Sequence, residues 1–172
     1  MNKLRNLFYT IKYKIQRMNK GYSDEDLFCI HDWFTKIFPK MLDDFCSCTF
    51  GNPCDSEELK AEVKKFPVDW LEQQIPYFDK LYSKNKDYDL EYDLDNEFCC
   101  WQLIILRMKY CFELCDEFNS YYDKYYKELD KLDIETQLQD RIKIHNEIDK
   151  EVEKYKEEAF YLFNKWFFNL WW

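Results

Sequence analysis

The sequence predicts an all-α fold: one helical bundle domain over residues 1–172, closed by long antiparallel C-terminal helices. Three observations carry this. Two glycines and four prolines in 172 residues are too few turn formers for the regular hairpins of a sheet. Apolar residues recur at steps of three and four, the period of one helix face. From Phe98 to Trp172 there is neither Gly nor Pro, a helical pattern longer than one ordinary helix, so the chain must turn back on itself.

In order along the chain, Leu4, Leu7, Phe8, Ile11, Ile15 and Met18 form one amphipathic stripe that Gly21 is placed to end. Ser23 opens S-D-E-D, where its hydroxyl can cap free N–H groups and Asp24, Glu25 and Asp26 complement the positive end of a helix. The second stripe runs Leu27, Ile30, Phe34, Ile37 or Phe38, Met41 and Phe45, kinked or divided by Pro39. CSCTFGNPCDS, 46–56, reads as a loop. Across 57–97, Pro67 and Pro76 cut the first part into two or three short helices, and the acidic stretch 84–97 reads as a solvated linker. The final helices break near Asn119-Ser120 and Asp133, and the last one carries Ile142, Ile148, Val152, Tyr155, Ala159, Leu162, Phe163 and Trp166.

Charge is segregated. Residues 1–23 hold six basic and no acidic side chains, which against −9 overall leaves −15 on the remainder. An acidic body repels nucleic acid and favours basic partners, while the basic strip either pairs with that body or holds phosphates. No run of about 18 uncharged apolar residues is present to span a bilayer, and the basic start lacks a cleavage site. The expectation is a cytosolic protein without a membrane partner, its eight cysteines reduced.

Catalytic chemistry is hard to find. His31 and His145 sit in helical patterns without a fixed-spacing partner, where ordinary helix residues outnumber bases, and no phosphate-binding glycine motif or H-E-x-x-H occurs. Cys46-x-Cys48 with Cys54, joined by Cys99 or Cys100, is the strongest metal candidate, but C-x-C departs from zinc spacing. Cys111 and Cys115 share a helix face as small core residues. The acidic run 89–97 lacks the glycine of a calcium loop. The sequence therefore predicts no enzyme, no cofactor and no metal. The aromatics remain: F-F-N-L-W-W at 167–172 points rings to opposite sides of a helix, so one packing face cannot take them all. Trp166, Phe167, Phe168, Trp171 and Trp172 are the candidate oligomer or partner interface, and a homo-oligomer is the expectation.

Five blocks carry a resemblance: R-M-N-K-G-Y-S-D-E-D-L-F from Arg17, Asp32-Trp33, G-N-P at 51–53, W-Q-L-I-I-L-R-M-K-Y-C-F-E-L from Trp101, and F-Y-L-F-N-K-W-F-F-N-L-W-W from Phe160. Together they resemble an uncharacterised family of small helical proteins of tailed bacteriophages. The chain departs from that family in the cysteine-rich loop and at 57–97, which the resemblance implies is an insertion. The resemblance implies a phage origin and a helical fold, and no activity.

Three functions stand open. One is a non-enzymatic antagonist of host antiviral defence that sequesters a nucleotide-type signal in the host cytoplasm, with Arg5, Arg17 and Lys20 on phosphates and Tyr22 and Trp33 stacking the base. Another is an acidic inhibitor of a host defence protein, in the manner of an anti-CRISPR or nucleic-acid mimic. The third is a virion assembly protein. The first is the leading expectation.

Overall fold

The computed structural model describes residues 2–20, 22–24, 26, 30–48, 56–84, 92–116 and 134–171. Among them every regular element is helical. The helices are α1 (Asn2–Lys20), α2 (Phe38–Cys48), α3 (Ser56–Val63), α4 (Val68–Lys84), α5 (Glu97–Leu114) and α6 (Ile134–Trp166), and a 3₁₀ turn, Phe167–Trp171, follows the last. The all-α expectation holds, and α5 and α6 are the antiparallel pair: Trp101 meets Trp166, Arg107 meets Glu158 and Tyr110 meets Tyr155. At 33 residues α6 is ~50 Å long and outreaches α5. Its earlier half carries a small cluster of its own, Ile148 and Val152 with Ile144. The breaks expected near Asn119-Ser120 and Asp133 lie outside the described residues.

The bundle is organised around α5. Every residue from Cys99 to Met108 is buried, and a helix apolar on all sides can exist only inside a shell of others. α2, α3 and α6 pack on it. Its start is set by Asn96, whose side-chain oxygen accepts from the N–H groups of Phe98 (2.9 Å) and Cys99 (3.4 Å), satisfying two donors that have no partner within the helix. Tyr92 packs its ring on Phe78 and donates its hydroxyl to the Leu71 carbonyl. The end of the stretch read as a solvated linker is thus docked; residues 85–91 lie outside the described part.

The entry to α2 departs from the three-and-four spacing. Ser23 and Asp26 first form a reciprocal cap, Ser23 N–H to Asp26 Oδ2 (2.6 Å) and Asp26 N–H to Ser23 Oγ (3.3 Å). After a turn at Ile30–Asp32, residues Trp33–Ile37 are π-helical, and the Phe38 N–H reaches back five residues to the Trp33 carbonyl. Pro39 explains this: it cannot donate to the Thr35 carbonyl, and its ring would press on it. Widening the turn relieves the clash without ending the helix, so Pro39 neither divides nor breaks the run. The π-turn also sets rings five apart over one another. Trp33 stacks on Phe38 at 5.1 Å and 20°, where α-helical twist would place them ~140° apart.

Pro67 does separate α3 from α4, but Pro76 lies inside α4. It sits with Glu72 on an exposed side, where a missing helix hydrogen bond is less costly than in the interior. Residues 57–97 feed the same core as the rest: Leu59, Val63, Phe66, Trp70 and Phe78 are buried with Leu103, Ile104 and Met108. Each such side chain contributes about 1.5–3 kcal/mol.

Buried polar groups tie the helices in register. Gln102, 1% exposed, donates to the Cys46 carbonyl at 3.1 Å, in the last turn of α2, and accepts from the Tyr82 hydroxyl of α4 at 3.0 Å. Arg107, 3% exposed, is held by Glu158 through two parallel bonds of 2.6 and 2.7 Å. Its guanidinium lies 5.8, 5.1 and 5.3 Å from the ring centres of Phe66, Trp70 and Tyr110. Removing one partner of such a pair strands a charge. Arg107→Ala is therefore expected to lose about 3–5 kcal/mol of unfolding free energy in urea titrations. Replacing both partners by methionine should recover most of that loss, since the apolar pair leaves nothing unsatisfied.

Candidate functional site

Of the five residues assigned to ligand binding, two have partners within the chain. Arg17 is committed to Asp26 through two bonds of 3.0 and 2.6 Å. That contact draws the Asp26 carboxyl well below the usual carboxylate range, with the Ser23 backbone N–H reinforcing it. Trp33 is packed on Phe34 and Phe38 against the core. Lys20 and Tyr22 are exposed, and the Arg5 side chain lies outside the description. The structure gives Arg17 and Trp33 internal partners in place of a phosphate and a base.

The aromatic terminus is part core and part surface. Trp166 is 4% exposed and packs on Trp101, with the Lys165 ammonium 4.8 Å over its ring, so this member of the expected interface is a core residue. From the interior a ladder of rings in contact leads outward: Phe112 to Phe38, Phe38 to Phe163 (5.3 Å), Phe163 to Phe167 (4.9 Å), Phe167 to Phe168 (5.3 Å). It ends at Phe168, 78% exposed, the most exposed ring of the described core. Phe160, which touches Phe34 and Phe112, is 43% exposed, and Ile37 and Met41 of the neighbouring helix are 44% and 51% exposed. The Trp171 and Trp172 side chains lie outside the description. This surface, with rigid rings braced from behind, is the candidate binding site.

Beside it α3 meets α6 around a buried carboxylate. Glu62 Oε2 accepts from Lys165 Nζ (2.7 Å), Tyr161 Oη (3.0 Å) and Lys65 Nζ (3.1 Å), and Lys165 also reaches Glu58 at 2.8 Å. Burial raises the Glu62 pKa, but the three donors outweigh it and hold the carboxyl below its ordinary 4.5. The same acids, working against burial, keep Lys165 firmly charged.

The thiols are equally committed. Cys46, Cys99, Cys100, Cys111 and Cys115 are unbridged and buried. Burial pushes Cys46 and Cys99 up to about 12 and Cys100 and Cys115 to about 11, from an ordinary 9.0. These are protonated, weakly nucleophilic groups. Among the described residues no cluster of His, Cys, Asp and Glu is arranged to hold a metal ion; the Cys48 side chain and Cys54 fall outside them. His31 and His145 sit on exposed faces, each about 4 Å from a carboxylate of its own helix, at 3.8 and 4.0 Å.

Sequence reasoning passed over Arg107, Glu158 and Glu62. A signal was present for the first: a single arginine inside WQLIILRMKYCF must be paired if that helix is buried. Glu158 and Glu62 lie in runs of charge that look solvated, and only the fold separates them from their neighbours.

Two expectations follow. A carboxyl held below its unfolded pKa stabilises above that value and ceases to as pH falls through the folded one. Stability should therefore decline below pH 4.5, and Glu62→Gln should flatten that part of the curve in urea titrations. The thiols run the other way: raised pKa values leave their contribution complete below pH 9.0 and lost as pH climbs toward 11–12. Ellman's reagent should accordingly leave these five unlabelled in native protein at neutral pH and label them on unfolding. No family model, curated protein or solved structure matches this chain.

Proposed function

We propose that the protein is a non-catalytic phage factor that antagonises host antiviral defence by binding a host protein, with Phe168 and Phe160 at the centre of the contact. One observation carries this: a ladder of rings in contact with the core ends on an exposed Phe168. Large rings set in a rigid backing are the usual anchors of an interface, because little freedom is lost when they are covered. The −15 carried outside residues 1–23 suits a basic, nucleic-acid-handling partner, whose approach it would steer. The phage context rests on the five sequence blocks, and the place of action is the host cytoplasm.

A protein partner is favoured over a nucleotide because Arg17 and Trp33, central to nucleotide capture, are engaged by Asp26 and by Phe34 and Phe38. The deciding experiment expresses the chain in a defended bacterial strain and counts plaques of a phage that the defence restricts. Wild type should restore plaquing. Phe168→Glu, at a position outside the packed interior, should fold with an unchanged melting curve and lose the effect, in line with about 2 kcal/mol or ~30-fold in partner affinity. A parallel thermal screen against cyclic and linear nucleotides should give no shift. A gain of about 2.7 kcal/mol at ~100 times the dissociation constant would restore the nucleotide reading. A wild-type oligomer that Phe168→Glu splits, without any plaquing effect, would make the ladder subunit glue.

A further inference from the structure

The amphipathic stripe of α1 is uncovered. Leu7, Phe8, Ile11, Ile15 and Met18 are 56%, 66%, 50%, 52% and 85% exposed, and by helical register they fall within one arc of about 100°. The helix is fastened by its other side. Lys12 and Gln16 both bind Asp24 Oδ2, at 3.0 and 2.7 Å, the Asp24 N–H returns to Gln16 Oε1 at 3.0 Å, and Arg17 grips Asp26. These polar anchors leave the stripe directed away from the turn that follows it. Lys12 and Lys14 border the stripe, one on each edge, and Lys3, Arg5, Arg17 and Lys20 complete a helix with six cations and no anion.

We propose that α1 lies in the plane of an anionic lipid surface, its stripe at the boundary of headgroups and acyl chains and Lys14, at the stripe's edge, among the lipid phosphates. Charge chooses this occupant. Two copies packed stripe to stripe would align cations with cations along the edges, with no acidic position within α1 to answer them. A bilayer with acidic headgroups offers in one plane both the apolar layer that the stripe needs and the anions that Lys14 at its edge needs. The same six cations prevent crossing: no described helix is long and apolar enough to span a membrane. The expectation of no membrane partner thereby narrows to no membrane crossing, and this contact is separate from the Phe168 surface.

The test is flotation of the full-length protein with phosphatidylcholine vesicles, with and without an equal part of phosphatidylglycerol. Binding is expected to the mixed vesicles alone and to fade as salt is raised. Ile11→Asp with Ile15→Asp should cut the bound fraction at least tenfold, and Lys14→Glu several-fold. Circular dichroism and thermal melts should match wild type, since the described stripe residues are exposed. Failure to float with the mixed vesicles, or equal flotation by the double variant, overturns the proposal. So does a double variant that lowers the sedimentation mass of the lipid-free protein, which would assign the stripe to a second copy.

Discussion

The contact on which the rest of the structure depends is the one between Arg107 and Glu158. A guanidinium placed in the middle of the most deeply buried helix is tolerable only with its charge matched, its donors used and its faces covered. Glu158 supplies the first two with a forked pair of bonds, and Phe66, Trp70 and Tyr110 supply the third. Those five residues come from α3's exit, α4, α5 and α6, so one ion fixes the relative placement of most of the bundle. Hydrophobic burial supplies more free energy, but it would tolerate many sliding registers of helix on helix. The fork tolerates one.

That constraint explains where the polar chemistry of the molecule has gone. Glu62, Lys165 and Tyr161 repeat the same solution between α3 and α6, and Gln102 repeats it in neutral form between α2, α4 and α5. These buried polar groups are used in holding helices together. Outward apolar side chains gather in two places, at Phe168, where ring contacts lead back to the core, and along α1.

The helical class was legible because glycine and proline are scarce and the spacing is regular, and Ser23 with Asp26 could be read as a cap from its pattern alone. Other features depended on context that local pattern does not contain. Pro76 looks like a helix end, yet it lies inside α4 on an exposed side. Pro39 looks like a kink, yet the helix absorbs it by widening, and that widening turns Trp33 from a free ring into a partner of Phe38. Asn96 ahead of an apolar run is a cap in outline, masked by the acidic residues around it. The site was least legible of all: Arg107 and Glu158 stand 51 positions apart, and periodicity says nothing about which two faces will meet.

The all-round burial of α5 also bears on how the chain is made. A ribosome finishes α5 before the first turn of α6 exists, so Arg107 and the apolar surface around Trp101 emerge with neither Glu158 nor Trp166 to meet them. α2 and α3 can begin to shelter the nascent helix, but they carry no carboxylate to its guanidinium. Closure waits on residues synthesised more than fifty positions later, and through that interval the nascent chain exposes the surface that chaperones hold and proteases sample.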